Sequence, residues 1–468
     1  MVIDNLEALT SHGNVPGRKA VLDILEAGLR ASDPYENVRK LVRVEHGRLI
    51  VGHKDVAMPP GGEPLVFDLS RVGNIYVIGG GKAAQRQAEA LEDALGDLIT
   101  EGHVNAKKGD TVRLKRIEVT LAGHPIPDED SVRGAQRILD IERKARKGDI
   151  IFHSESGGGS ALLTLPAPGI TLADLQMVNR VLYFECGATM WDTNAVRNML
   201  TVLRSREPRH AGEATYIQIS TDERPPGLRV PSAGRDYTKR VGEEAYTYAI
   251  DILRRYRCWD RMPESVRRFL EARDPRYVPI SQEERKGKPW YHLRVMGPEF
   301  MLDAAQRRAR EMGLNATIVA SSLSDVEARS AGEVLAYIAQ EAEINRRPLM
   351  PPCVFLCGGE LVVTVGGNGG LGGRNQEFAL AAAPRIAGSE RIVIASADSD
   401  GSDGPTDVAG GIVDGYTMDR ADAMGMDVFD ELLRHNSSFV LSRLGDVIHT
   451  GVRGTNVQDL RVVYVGDQ

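Results

Sequence analysis

Cysteine is scarce: the 468 residues contain four, Cys186, Cys258, Cys353 and Cys357. That is too few for a disulfide framework at this length, so the fold has to rest on its hydrophobic core. Cys353 and Cys357 lie in or beside an apolar, strand-like run with no partner ligands nearby, which predicts buried thiols rather than a metal site. No apolar run approaches the length of a membrane span, and the N-terminal MVIDNLEALTSHGNV lacks a basic segment leading into an apolar one, so a cytoplasmic location is expected. Positive charge is not in excess either. A formal net charge of −7 speaks against a nucleic-acid partner, whose phosphates would need a basic face. There is no internal repeat and no low-complexity tract. With 42% hydrophobic and 26% charged residues the composition is that of a folded globular protein, and the length predicts two domains.

What the chain does have is glycine at the ends of strand-like runs. Asn74–Ile78 leads through Gly79-Gly80-Gly81-Lys82 into the helix-forming AAQRQAEALEDAL. The pattern fits the weak form of a dinucleotide fingerprint but fails as a Walker A loop, because Lys82 is followed by Ala83. No acidic residue stands clearly at the end of the next strand to hold a nicotinamide ribose. A lysine inside the turn suits a phosphate or carboxylate ligand; a solvated lysine after a tight turn would look the same. Ile117–Leu121 leads to Gly123-His124-Pro125, and Asp149–His153 to Ser156-Gly157-Gly158-Gly159-Ser160. Ser160 lacks the G-x-S-x-G context of a nucleophile, so the backbone N–H groups of this loop are the expected binding atoms. Alternating strands and helices predict an open parallel sheet with helices on both faces and ligands at the carboxyl ends of strands.

A third glycine loop carries the strongest anion signal. Thr364–Leu380 reads TVGGNGGLGGRNQEFAL, in which a strand-like Leu361–Val365 passes through six glycines to Arg374-Asn375-Gln376 and a helix from about Glu377. Crowded backbone N–H groups followed by an arginine fork suit a phosphate or carboxylate. After the strand Arg391–Ser396 comes DSDGSDGPTD, in which Asp400, Asp403 and Asp407 are candidate ligands for Mg²⁺ on a nucleotide; it departs from an EF-hand loop in spacing and lacks the closing glutamate. Residues 14–32 predict an amphipathic helix. The charged, proline-containing stretch 257–288 predicts a linker or insertion between domains at 1–256 and 289–468.

Taken together, IGGGKAA (78–84), GHPIPDE (123–129), SGGGSALL (156–163), NAVRNML (194–200), GGRNQEFAL (372–380), DGSDGPTDVAGGIVD (400–414) and GTNVQDL (454–460) resemble the glycerate 2-kinase family. The resemblance covers most of the chain. It implies an α/β protein with a Rossmann-like N-terminal domain, a second α/β domain containing a MOFRL region (about 350–462), and an active site in the cleft between them. It further implies phosphorylation of the 2-hydroxyl of D-glycerate, or of a related short-chain hydroxy acid, by ATP with Mg²⁺, in a monomer or homodimer. The family's catalytic lysine and arginine fall on Lys82 and Arg374. Gly80, Gly81, Ser156, Gly157, Gly158, Gly159, Ser160, Arg197, Gly372, Gly373, Asn375 and Gln376 are the expected substrate and phosphate contacts. The alternatives are an NAD(P)H-dependent hydroxypyruvate reductase and a non-catalytic sugar-acid-binding relative. Three segments depart from the family pattern: Asn198-Met199 with Leu203-Arg204-Ser205-Arg206, the stretch from Ser220 to Gly234, and Gly366–Leu371, which has no basic residue. Arg204, Arg206, Arg224 or Arg235 are candidates to supply compensating charge.

Overall fold

A computed structural model describes residues 1–223, 225, 243–365 and 369–467. Arg224, Arg235, most of the stretch from Ser220 to Gly234, and Gly366–Asn368 lie outside the described residues. The chain forms two compact units. One, here the N-terminal unit, comprises Pro34–Thr221 and Gly227–Val295; the other, the C-terminal unit, comprises Met1–Asp33, Asp222–Pro226 and Met296–Gln468. The stretch 257–288 lies inside the N-terminal unit and contains short helices, among them Glu264–Ala272.

The amphipathic helix expected near the N-terminus is present as α1 (Val15–Ala31), with Pro16 in its first turn and the Asn14 side chain accepting from Gly17 N. Its apolar stripe, Val21, Leu22, Ile24, Leu25 and Leu29, is fully buried. Burying each such side chain stabilises by roughly 1.5–3 kcal/mol. The stripe belongs to the C-terminal unit. Gly28 permits the approach, because a Cβ there would stand 2.3 Å from Leu460 Cδ2. Arg18 anchors the same helix from within the core, pairing with Asp414 at 2.5 Å and Asp446 at 2.7 Å.

In the N-terminal unit a short helix, Pro34–Leu41, leads into a small antiparallel sheet, β1 (Val42–Glu45), β2 (Arg48–Val51) and β3 (Leu65–Asp68). Its main sheet has six strands: β4 (Ile75–Gly80), β5 (Ile99–Lys107), β6 (Glu118–Ala122), β7 (Ile150–Glu155), β8 (Thr215–Thr221) and β9 (Trp290–Met296), in the order β6-β5-β4-β7-β8-β9. Pairing is parallel across β6-β5-β4-β7-β8. Helices α2 (Ala84–Leu95) and α3 (Glu129–Lys144) make the crossovers from β4 to β5 and from β6 to β7, giving the parallel sheet predicted from the alternation. Helix α4 (Met190–Met199) follows β7.

The C-terminal unit is built on a mixed sheet of β10 (Asn315–Ala320), β11 (Cys353–Gly359), β12 (Ile392–Asp398), β13 (Gly410–Asp414), β14 (Val447–Ile448) and β15 (Asp459–Val465), in the order β10-β11-β15-β12-β13-β14. Only β10 and β11 are parallel; β15 sits between β11 and β12, antiparallel to both. Helices α5 (Pro298–Glu311), α6 (Ala328–Asn345), α7 (Arg374–Ile386), α8 (Val428–Leu433) and α9 (Ser437–Leu444) complete it. Leu361–Val365 is not a strand: β11 ends at Gly359, and only Val362 makes an isolated bridge, to Glu327. Cys353 and Cys357 are buried in β11, as their apolar surroundings predict. No helix among the described residues is long and apolar enough to cross a membrane.

Candidate active site

In the N-terminal unit the glycine turns after β4 and β7 are packed against each other. Lys82 N donates to Gly157 O at 2.9 Å, and Ala83 N donates to Ser156 Oγ at 2.8 Å. Glycine is required at this contact. A Cβ on Gly81, whose φ is +144°, would stand 2.3 Å from Ser156 Oγ, and one on Gly80 would lie 2.5 Å from Leu163. Gly158 (φ +89°) leaves room on one side for His124 and on the other for the stem of Lys82, whose Cγ is 3.4 Å from the position a Cβ would take. Gly159 faces Gly80 O at 3.1 Å and Arg204 Nη1 at 3.3 Å in the same sense. Lys82, His124, Ser156, Gly157, Gly158, Gly159 and Arg204 therefore line one place at the carboxyl ends of β4, β6 and β7. Ser160 is buried in the first turn after the loop, its carbonyl accepting from Thr164. Arg197 is buried on α4, donating to Asn194 Oδ1 at 2.8 Å and Asn179 Oδ1 at 3.4 Å, while Asn179 in turn holds Pro125 O. It braces the His124 loop from behind.

A buried polar network supports the β7 loop. Glu155, the last residue of β7, pairs with Arg204 at 2.5 Å. Burial alone would raise its carboxyl, but Arg204 and then His153 pull it down to about 2. Tyr216 donates to Glu142 Oε1 at 3.0 Å and accepts from His153 Nδ1 at 2.8 Å, which leaves His153 Nε2 bare and the imidazole neutral. Burial lowers the His153 pKa to about 4 and raises the Glu142 carboxyl well above its ordinary range, with Glu207 adding to the rise.

In the C-terminal unit Arg374 opens α7 directly after Gly372 and Gly373. Its guanidinium is already in a nest of carboxylates. Nε is 2.9 Å from Asp459 Oδ2, Nη2 is 2.9 Å from Asp459 Oδ1 and 2.5 Å from Asp398 Oδ2, and Nη1 lies 3.2 Å from Glu360. Asp398 and Asp459 are buried, whereas Glu360 is 46% exposed. The Nη1 edge of the fork is thus the one that faces the exposed carboxylate. Burial works against the Arg374 charge, and Asp459, Glu360 and Asp398 together more than offset it, so its pKa is raised.

Asp403 is placed with both oxygens engaged: Oδ1 accepts from Asn375 N (3.0 Å) and Nδ2 (3.1 Å), Oδ2 from Gln376 N (2.9 Å) and Nε2 (3.1 Å). This carboxylate caps the first turn of α7, in the position where an anion is favoured. A Cβ on Gly373 would lie 2.3 Å from its Cγ, which is why glycine stands there. Asn375 and Gln376 are wholly buried beneath the loop, their amide donors turned to Asp403 and, for Gln376, also to Thr406. Gly372 leaves space for Ser437 Oγ. Asp400 Oδ1 accepts from Ser402 N and Oγ, and Asp407 is exposed. Among the described residues no group of three or more His, Cys, Asp or Glu side chains converges to hold a metal ion. Any divalent ion here would depend on oxygens brought by a ligand.

Sequence reasoning missed Asp398, Asp459 and Glu360, which set the charge around Arg374, and the pair formed by Glu377 of α7 with His435. The Asp459-x-Arg461 alternation within an otherwise apolar DLRVVYV run was the available signal, since period-two polar residues in a central strand must face a polar neighbour.

Residues 20–206 match the family model of a domain of unknown function (DUF4147), and residues 353–459 match the MOFRL family. Glycerate 2-kinase of Pyrococcus horikoshii is 37% identical over 453 residues, covering 95% of this chain and 98% of that one. D-glycerate 2-kinase of Thermotoga maritima is 36% identical over 389 residues, 82% of this chain and 89% of its own. A crystal structure of glycerate kinase from Thermotoga maritima superposes with a TM-score of 0.75 at 30% identity, over 96% of this chain and 99% of that one. With its motif order, its parallel-sheet unit and its MOFRL-containing unit all matched, the chain belongs to the glycerate 2-kinase family.

Proposed function

We propose that the protein transfers the γ-phosphoryl group of ATP to the 2-hydroxyl of D-glycerate or a closely related short hydroxy acid in the cytoplasm. The observation that carries the reading is the interlock of the Lys82 turn with the Ser156–Ser160 loop, where a lysine and a run of backbone N–H groups meet at the ends of parallel strands. It is supported by two relatives that are named as glycerate 2-kinases and together match most of the chain. Phosphoryl transfer asks for positioning and charge neutralisation more than for covalent chemistry. Lys82 stabilises charge on the transferred group, the Gly157–Gly159 amides hold phosphate oxygens, and the Nη1 edge of Arg374 receives the carboxylate of the acid. Asp400 and Asp407 are the carboxylates proposed to hold a Mg²⁺ carried by the nucleotide, with Asp403 fixing the loop between them; the ion supplies neutralisation of phosphate charge. The reductase alternative is not favoured, since β5 ends in Lys107 where a nicotinamide site places a ribose-binding carboxylate. A coupled assay for ADP release across a panel of hydroxy acids tests the proposal. ADP formation dependent on glycerate is expected, and folded protein that turns over none of the acids would refute it.

A further inference from the structure

Glu377 and His435 form a pair that none of the roles above uses. Glu377 lies one turn along α7 from Arg374, on the same side of the helix, since positions three apart are neighbours. Its carboxylate is 2% exposed and accepts from His435 Nδ1 at 3.0 Å, while the imidazole is 24% exposed. In the neutral imidazole this contact selects the tautomer with its proton on Nδ1, which leaves the lone pair on Nε2. That atom has no hydrogen-bond partner among the described residues. The corner that carries His435 is clamped onto the glycine loop: Gly370 N donates to Arg434 O at 2.6 Å, Leu371 N to Asn436 Oδ1 at 3.0 Å, and Ser438 N to Leu371 O at 3.0 Å.

The backbone says that the imidazole is not there for the turn. His435 follows the last turn of α8 with φ +53°. Asn436 N donates to Glu431 O at 2.9 Å and His435 N to Leu432 O at 3.2 Å, the bond pattern of a helix terminus that ordinarily takes glycine in this left-handed position. A side chain kept where the local conformation favours none, and then oriented by a buried carboxylate, is the arrangement of a histidine base with its orienting acid.

Resting on the kinase reading, we propose that His435 Nε2 accepts the proton of the substrate hydroxyl during phosphoryl transfer, with Glu377 as its positioning residue. In that step the hydroxyl oxygen bonds to the γ-phosphorus, the bond from that phosphorus to the bridging oxygen breaks with its electron pair leaving on ADP, and the hydroxyl proton passes to Nε2.

The discriminating variant is His435→Gly, which removes the base and relieves the backbone at once. Purified full-length parent and variant are compared by thermal melting, by ATP binding and by steady-state ADP release with glycerate. A melting temperature near the parent's, the relieved left-handed residue offsetting Glu377's lost partner, unchanged ATP binding and a fall in kcat of about 100-fold or more are expected, with part of the loss restored by added imidazole. A folded His435→Gly enzyme with the parent's kcat would overturn the assignment. If the glycine variant does not fold, His435→Asn, which also tolerates the left-handed conformation, gives the same reading. A parent that phosphorylates no acid refutes the kinase reading and this step together, whereas an active parent with a fully active variant refutes this step alone.

Discussion

Arg374 shows how a single residue combines a structural and a catalytic demand. Its Nε and Nη2 atoms satisfy Asp459 and Asp398, two buried carboxylates, the first of which also pairs with Arg461 at 2.7 Å. Removing it leaves that charge uncompensated, which costs about 3–5 kcal/mol for a buried pair. Arg374→Ala is therefore expected to lower the melting temperature as well as activity, and Lys82→Ala to abolish most of kcat/KM with the melting temperature preserved. Comparing the two by calorimetry and ADP release separates scaffold from chemistry. Glu360 makes a finer test possible. Because it is the exposed member of the nest and sits on the Nη1 edge, it competes with an incoming carboxylate. Glu360→Gln should lower the KM for the acid severalfold and leave the KM for ATP unchanged; an unaltered or raised KM for the acid would mean that the Nη1 edge does not receive it.

At the scale of elements, the position of α7 depends on its contact with α6. Gly332 on α6 lies so close that a Cβ would stand 2.3 Å from Phe378 O. Backbone cannot give way as a side-chain end can. Gly332→Ala should destabilise by about 1–3 kcal/mol and reduce activity by shifting the first turn of α7, which a urea titration and an activity assay would report. Such close approaches are the part of the site that was legible in sequence. Gly80, Gly81 and Gly373 each mark a place where no Cβ fits, and Gly158 a left-handed turn, so the turns announce themselves locally. The charge around Arg374 did not, because Asp459 is 85 residues away and reaches it only through the insertion of β15 between β11 and β12. Leu361–Val365 reads as a strand from its β-branched run, yet the chain has already left the sheet at Gly359. Asn375 and Gln376 look like ligand-binding polar groups in sequence, and only the fold shows them turned inward onto Asp403.

For the molecule as a whole, buried histidines make stability depend on pH. His153 is neutral in the folded state with its pKa lowered to about 4 by burial, whereas in the unfolded chain it titrates near the ordinary imidazole value of 6.5. The unfolded state therefore takes up the proton first. The stabilisation is complete above about pH 6.5 and is lost as the pH falls toward 4, amounting to about 2 kcal/mol between about pH 7.5 and 5. Glu142 and Glu207, whose carboxyls are raised, act in the opposite sense. The His153 contribution is accordingly read as a difference: urea midpoints of the parent should fall more steeply over that interval than those of His153→Gln, and equal slopes would contradict the buried neutral imidazole.

The central claim concerns which oxygen receives the phosphoryl group. Incubation of the protein with ATP, Mg²⁺ and D-glycerate, followed by proton-coupled phosphorus NMR of the product, answers it directly. The account predicts a phosphorus resonance coupled to the single proton on C2. Coupling to the two protons on C3, or no phosphorylated acid at all, would contradict it.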